Sequence, residues 1–205
     1  MRTREIRTNR LISDNIELTN ALQTAAGVGS KGGATIAVAE YGDGVLHKTV
    51  LTCNATPVTI ADDAAVAQYG GVKVYDFPAG MICTMGAVVS GSLTAGVTGT
   101  IIDNWDGDVA LGTVTATTGA TLTSTEADIM QSVAVSAGAT DKIGVVDAVS
   151  VATALTESGA RWLDGTATAK DMYLNFVIDD DATHTAGTAT FTGTIEFVWM
   201  NLGDN

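Results

Sequence analysis

The densest set of residues able to do chemistry in this chain is Asp103-Asn104-Trp105-Asp106-Gly107-Asp108. Carboxylates clustered around a glycine turn suit calcium, a hard cation that takes roughly six to eight oxygen ligands. The spacing is not that of an EF-hand, and no Glu follows at the distance such a loop requires. A solvated turn, with Asp and Asn side chains bonding their own backbone, accounts for the same residues. Asp103, Asp106 and Asp108 therefore stand as metal candidates against an expectation of no metal and no cofactor. Asp179-Asp180-Asp181 with His184 is a second acidic loop, read in the same way.

His47 and His184 are the only histidines. Nucleophilic catalysis needs a nucleophile, a base and an orienting acid converging in one pocket. His47 lies in strand-like GVLHKTVLT, with Cys53 six residues on, and His184 lies in a Thr- and Gly-rich loop; neither is accompanied by G-x-S-x-G. Gly27, Gly29 and Gly32 match G-x-G-x-x-G, yet a dinucleotide site needs a strand before that motif and a helix after it. Here a polar segment precedes it and strand-like ATIAVAE follows, so the glycines read as a flexible joint. No enzymatic activity is expected. Trp199 reads as core, while Trp105 and Trp162 fall in loops as candidates for an oligomer interface or a sugar platform.

Charge is distributed unevenly. Arg2, Arg4, Arg7 and Arg10 with Glu5 give the first ten residues a charge of +3, leaving about −16 on the rest of a 205-residue chain whose net charge is −13. An acidic body behind a short cationic segment would repel a nucleic-acid duplex, which needs a basic stripe to displace counterions. The segment also lacks the continuous apolar stretch of a signal peptide, since LISDNIE follows Arg10. A tether that contacts a protein partner remains, with Arg2, Arg4, Arg7 and Arg10 as its contact residues.

The elements that must hold these residues are strands. Thr, Ala and Gly are abundant, strong helix formers are scarce, and from Ala34 onward the dominant period is two. Phe191, Gly193, Ile195, Phe197 and Trp199 share one face, and Met172, Leu174, Phe176 and Ile178 share another. Further strands are expected at 35–40, 45–52, 56–61, 72–77, 81–95, 109–116 and 144–152, separated by turns such as GDG at 42–44. The charge-free run 79–102 carries five glycines, which suits a strand pair better than a membrane span, and no membrane association is expected. Thr123-Ser-Thr-Glu126 has capping-box spacing and predicts one or two helical turns into ADIMQSV. Cys53 and Cys83 read as buried free thiols, because a chain of this length can bury a core without a staple. The reading is an all-β, antiparallel, jelly-roll-like β-sandwich over residues 34–205. An extended or partly helical arm with a Gly-rich hinge occupies residues 1–33.

Some segments carry a more specific signal. Tyr75-Asp76-Phe77-Pro78-Ala79-Gly80, Trp105-Asp-Gly-Asp108 with Leu111-Gly112-Thr113, Thr125-Glu126-Ala127-Asp128-Ile129 and the terminal Phe197-Val198-Trp199-Met200-Asn201 stand in order across residues 40–205. Taken together they resemble the capsid decoration (cement) proteins of tailed, marine-type bacteriophages. That resemblance implies a jelly-roll body, a homo-oligomer (a trimer) and a place on the outer capsid surface of the virion, bound to the major capsid protein. It implies no catalytic residues and transfers no individual attachment position. The function expected is capsid stabilisation by bridging neighbouring shell subunits. The alternative is a head-fibre or tail-associated adhesion module that binds host glycan through loop aromatics such as Trp105.

Overall fold

The computed structural model describes residues 29–43, 45–63, 67–95, 106–135, 142–148, 162–179 and 186–203. Eleven strands run through them: β1 (Ser30–Lys31), β2 (Ile36–Asp43), β3 (Leu46–Asp63), β4 (Ala67–Asp76), β5 (Gly80–Ala95), β6 (Asp106–Gly112), β7 (Met130–Val135), β8 (Lys142–Ala148), β9 (Trp162–Gly165), β10 (Asp171–Asp179) and β11 (Gly187–Asn201). All pair antiparallel in the order β7-β6-β10-β4-β3-β11-β5-β8, with β1 on β4, β2 on β3 and β9 on β5. The protein is all-β, a curled antiparallel sheet folded into a sandwich of jelly-roll-like character.

The fold turns on β3. Two strands were expected at 45–52 and 56–61, and the structure joins them into one strand of 18 residues. Its inward residues are His47, Thr49, Leu51 and Cys53, then Thr56, Val58 and Ile60. The change of parity comes from a bulge in which Asn54 and Ala55 together oppose Thr192 of β11. Ala55 is held at φ 47°, a left-handed conformation unusual for a residue with a Cβ. Three hydrogen bonds tie the loop down or flank it: the Asn54 amide donates to the Thr35 carbonyl at 3.0 Å, the Ala55 amide to the Thr192 hydroxyl at 3.1 Å, and one of the Thr35 and Thr56 hydroxyls to the other at 3.0 Å.

Below the bulge β3 pairs with β2 (Ile36↔Cys53 to Asp43↔Leu46); above it, β3 pairs with β4 (Thr59↔Gly71 to Asp63↔Ala67). The sheet therefore divides into two layers that face each other across the core. Phe176 of β10 meets Phe191 of β11 at 6.2 Å between ring centroids. Tyr75 and Phe77, at the end of β4, pack edge-on against Phe197 and Trp199 of β11 at 5.1–6.3 Å. The apolar faces expected of β10 and β11 are the buried ones.

The one or two helical turns expected from Thr123–Glu126 into ADIMQSV give way to a single 3-10 turn, Ser124–Glu126. Thr123 makes no capping bond, and Glu126 instead accepts from the amide and hydroxyl of Thr117, both at 2.9 Å. Asp128 accepts from the amide and hydroxyl of Thr113 at 2.8 and 2.7 Å. Both acids are committed to crossing a loop, and MQSVAV then continues as β7. Segment 113–129 lies over the outer face of β4, β6 and β10, where Ala116 and Leu122 join Ala67, Ala110 and Val177 in a second small core.

Asn175 of β10, fully buried, pins that cover. Its Oδ1 accepts from the Ala116 amide at 3.0 Å, and its Nδ2 donates to the Val114 and Glu126 carbonyls at 2.8 Å each. Three buried hydrogen bonds at roughly 1 kcal/mol each, plus carbonyls left unsatisfied, set the cost of losing it. Asn175→Ala is expected to destabilise the fold by about 2–4 kcal/mol in denaturant titration. Amide exchange should localise the loosening to residues 113–129.

Candidate attachment surface

Both edges of β11 are paired, and the cross-strand row Asp43–Leu46–Met200–Cys83–Trp162 runs over β2, β3, β11, β5 and β9 near one end of the sandwich. Leu46 and Trp162 in this row are each 49% exposed. At the rim the Val45 carbonyl accepts from the Asn201 amide, and the Leu202 amide donates to the Met81 carbonyl. Met85 is extruded by the register shift that pairs Trp199 with Thr84 and Val198 with Gly86. Among the described residues, seven large apolar side chains are exposed. Six of them (Tyr41, Val45, Leu46, Met85, Trp162 and Leu202) gather at this end, with Val114 elsewhere. The outward face of a two-layer sandwich ordinarily alternates to polar residues, so this concentration is the candidate interaction surface of the body.

The body meets residues 1–28 at the same end. Gly29 and β1 lie along the end of β4: Ser30 pairs with Asp76, Lys31 with Tyr75, and the Gly32 amide donates to the Val74 carbonyl at 3.0 Å. A Cβ on Gly29 would strike the Asp76 carbonyl and the Tyr75 ring, and one on Gly32 would strike the Lys73 carbonyl. Two of the three glycines in the G-x-G-x-x-G match thus allow close backbone contact with β4. Over residues 29–33 the segment expected as a joint is laid against the body.

Beneath Gly29 lies a polar relay that sequence reasoning missed. The Gly29 amide donates to the Tyr75 hydroxyl at 2.9 Å, and that hydroxyl donates to Glu40 Oε2 at 2.7 Å. Glu40 Oε1 stands 3.0 Å from His47 Nδ1, the two side chains being 3% and 4% exposed. His47 stacks on Trp199 at 4.2 Å between centroids and 14° between planes, while Trp199 Nε1 donates to the Thr49 hydroxyl at 2.8 Å. Burial pushes the Glu40 carboxyl above its usual range, against the Tyr75 hydroxyl and His47, which favour the carboxylate. Burial and the neighbouring Glu40 push the Tyr75 phenol far up, so it stays protonated. Trp199, stacked on His47, and Tyr75, bonded to Glu40, close over the set. The legible signal was parity: Glu40 and His47 both fall on inward positions of their strands.

The surface beside Gly29 is charged. Lys73 Nζ lies 2.7 Å from Asp76 and 3.8 Å from Asp171, and the Ser30 hydroxyl donates to Asp76 at 3.4 Å. Burial opposes ionisation of Asp76, yet Lys73 prevails and holds its carboxyl below the usual range. Burial and the adjacent Asp76 raise the Asp171 carboxyl. On the outward face Lys48 pairs with Glu196 at 2.8 Å.

Of the residues singled out from sequence, Trp162 lies in β9 on the exposed end. Arg2, Arg4, Arg7, Arg10, Asp103, Trp105 and His184 lie outside the described residues. Asp106 opens β6 opposite Asp179, and Asp108 is half-buried opposite Val177. Among the described residues no three His, Cys, Asp or Glu side chains converge on a common point. Cys53 and Cys83 are free and buried, and burial pushes the Cys53 thiol up to about 11, which suppresses the reactive thiolate. Residues 80–95 of the charge-free run form β5, and no helix among the described residues is long and apolar enough to cross a membrane. No protein-family model matches the chain, and no curated protein or solved structure matches it either.

The raised Glu40 carboxyl fixes the sign of a pH effect. The folded chain binds that proton more tightly than the unfolded one, so the contribution is full below the ordinary carboxylate value of about 4.3. It is lost as pH rises through the raised folded value. Glu40→Gln keeps a neutral group of the same shape. The stability difference between variant and wild type, measured by urea unfolding, should move in favour of the variant across that window and then level off.

Proposed function

We propose that the chain is a non-enzymatic structural protein of a tailed-phage virion. In this reading it attaches to the outer surface of the capsid and bridges neighbouring shell subunits as a homo-oligomer, a trimer. The observation that carries the reading is the coincidence at one end of the sandwich of six exposed apolar side chains and the junction with residues 1–28. Two of the segments that resemble decoration proteins, 75–80 and 197–201, also meet at this end.

The physical division of labour follows from the residue types. Trp162, Leu46 and Leu202 offer apolar anchors of the kind that dominate binding energy when buried at the centre of an interface. Arg2, Arg4, Arg7 and Arg10 offer planar guanidinium groups that bind carboxylates of the shell in bidentate fashion. Three arms acting together on a symmetric shell gain avidity that one arm lacks. The acidic remainder keeps decorated particles apart by mutual repulsion.

Because residues 29–33 belong to the body, the informative truncation stops at residue 28. Co-sedimentation with expanded heads lacking the protein is expected to show loss of binding for the chain without residues 1–28, with the body still folded. Trp162→Ala should weaken binding by about 2 kcal/mol, roughly thirtyfold, while changing stability by less than about 0.5 kcal/mol. Raising salt should weaken the full chain more than the truncated one, since exposed ion pairs are screened. A truncated chain that coats heads normally would refute the role given to the arm.

A further inference from the structure

The two layers of the sandwich differ in their outward faces. Segment 113–129 lies over β4, β6 and β10, whereas β2, β3, β11 and β5 keep their outward residues partly or fully exposed. Pairing aligns these residues in rows: Ala37, Thr52, Thr194 and Ser90; Ala39, Val50, Glu196 and Val88; Tyr41, Lys48, Val198 and Gly86. Beyond the bulge the face continues through Thr192 with Ser92, Thr190 with Thr94, and Thr188 with Thr59. The Thr94 and Thr190 hydroxyls bond each other at 2.7 Å.

Two features set this face apart. On a chain of net charge −13, the charged residues in these rows are Lys48 and Glu196, which cancel. Val50 and Val88 flank Glu196 across the strands, and Val198 follows it along β11. All three valines lie outside the core, at outward positions where antiparallel strands ordinarily carry polar residues. At the border, Asp147 of β8 stands in register with Val88.

We propose that this face is a self-association surface on which two copies of the chain pack face to face. Charge selects the partner. Acidic bodies repel one another, and a neutral face admits a second copy most readily through its own neutral face. The ion pair adds a register. Lys48 and Glu196 are 52% and 46% exposed and lie 2.8 Å apart on neighbouring strands. A two-fold axis in the plane of the face, passing between them, sets each Lys48 over Glu196 of the other copy, so the patch is complementary to itself. From Thr188 to Val198 the face runs roughly 34 Å along β11 and about 15 Å across the strands, from strand rise and spacing. The resulting area of about 500 Å² per copy falls below the about 800 Å² of a standard interface, so the pairing is reversible. An isologous contact joins copies in pairs, and the trimer of the attachment reading uses other surfaces, so the two readings fail separately.

Sedimentation velocity of the isolated full chain, in a concentration series to about 1 mM, tests the pairing. Wild type should pair reversibly. Lys48→Glu alone and Glu196→Lys alone each place like charges across the contact and should weaken pairing at least about tenfold. Weakening by Glu196→Lys, which makes the chain less acidic, separates the local contact from general repulsion. Both substitutions replace half-exposed side chains, so wild-type urea midpoints are expected. An equimolar mixture of the two single variants should recover pairing, because carboxylates on one copy then face ammonium groups on the other. Neither variant keeps an ion pair of its own between these positions, so recovery reads only the contact between copies. A wild type that stays unpaired throughout, single variants that pair like wild type, or a mixture of the two folded variants that stays apart would each overturn the proposal.

Discussion

One inserted residue in β3 governs the architecture. Along β11, its partner, the inward alternation of Phe191, Ile195, Phe197 and Trp199 is unbroken, and both halves of β3 face the same core. The Asn54–Ala55 bulge shifts the alternation by one residue, so that Leu51 and Cys53 below it and Val58 and Ile60 above it reach the same core, and it sits where the partner of β3 changes from β2 to β4. The left-handed Ala55 is tolerated because the Thr192 hydroxyl and the Thr35 carbonyl take up the amides of the bulge. From that division follow the two facing layers, the aromatic core between them and a seam where β2 and β4 part.

The seam explains why so polar a cluster is buried in so apolar a body. Where a sheet divides, backbone groups and side chains on the diverging strands lose their neighbours, and buried polar groups need partners. Tyr75, Glu40 and His47 supply them for one another, Trp199 covers them, and Gly29 with β1 closes the edge of β4. The end that needs this closure is also the end where residues 1–28 join and where apolar side chains remain outside. Arm junction, polar support and exposed apolar surface are consequences of one topology, and the proposed attachment function uses all three.

Much of the fold was legible because period-two alternation is a local signal. β10 and β11 were placed with the correct faces from their apolar residues alone, and β5 from its charge-free, glycine-bearing run. What escaped depended on distant partners. The capping-box spacing at Thr123–Glu126 is locally sound, but Thr117 and Thr113 draw Glu126 and Asp128 into a crossing loop. The glycines at 29 and 32 looked like freedom and are contacts, which only the position of β4 reveals. Of the attachment surface, Trp162 was read from its residue type. Leu46, Val45 and Leu202 become a surface only through the pairing that brings three separate strand ends together.

The central claim is that the arm junction and the apolar end of the sandwich face the same partner. A reconstruction of decorated particles, resolved well enough to orient the sandwich, tests it most directly. The account predicts the body standing end-on, with Gly29, Leu46, Trp162 and Leu202 turned to the shell and segment 113–129 away from the contact. A body bound through its opposite end or through segment 113–129, with Trp162 and Leu46 in solvent, would contradict it.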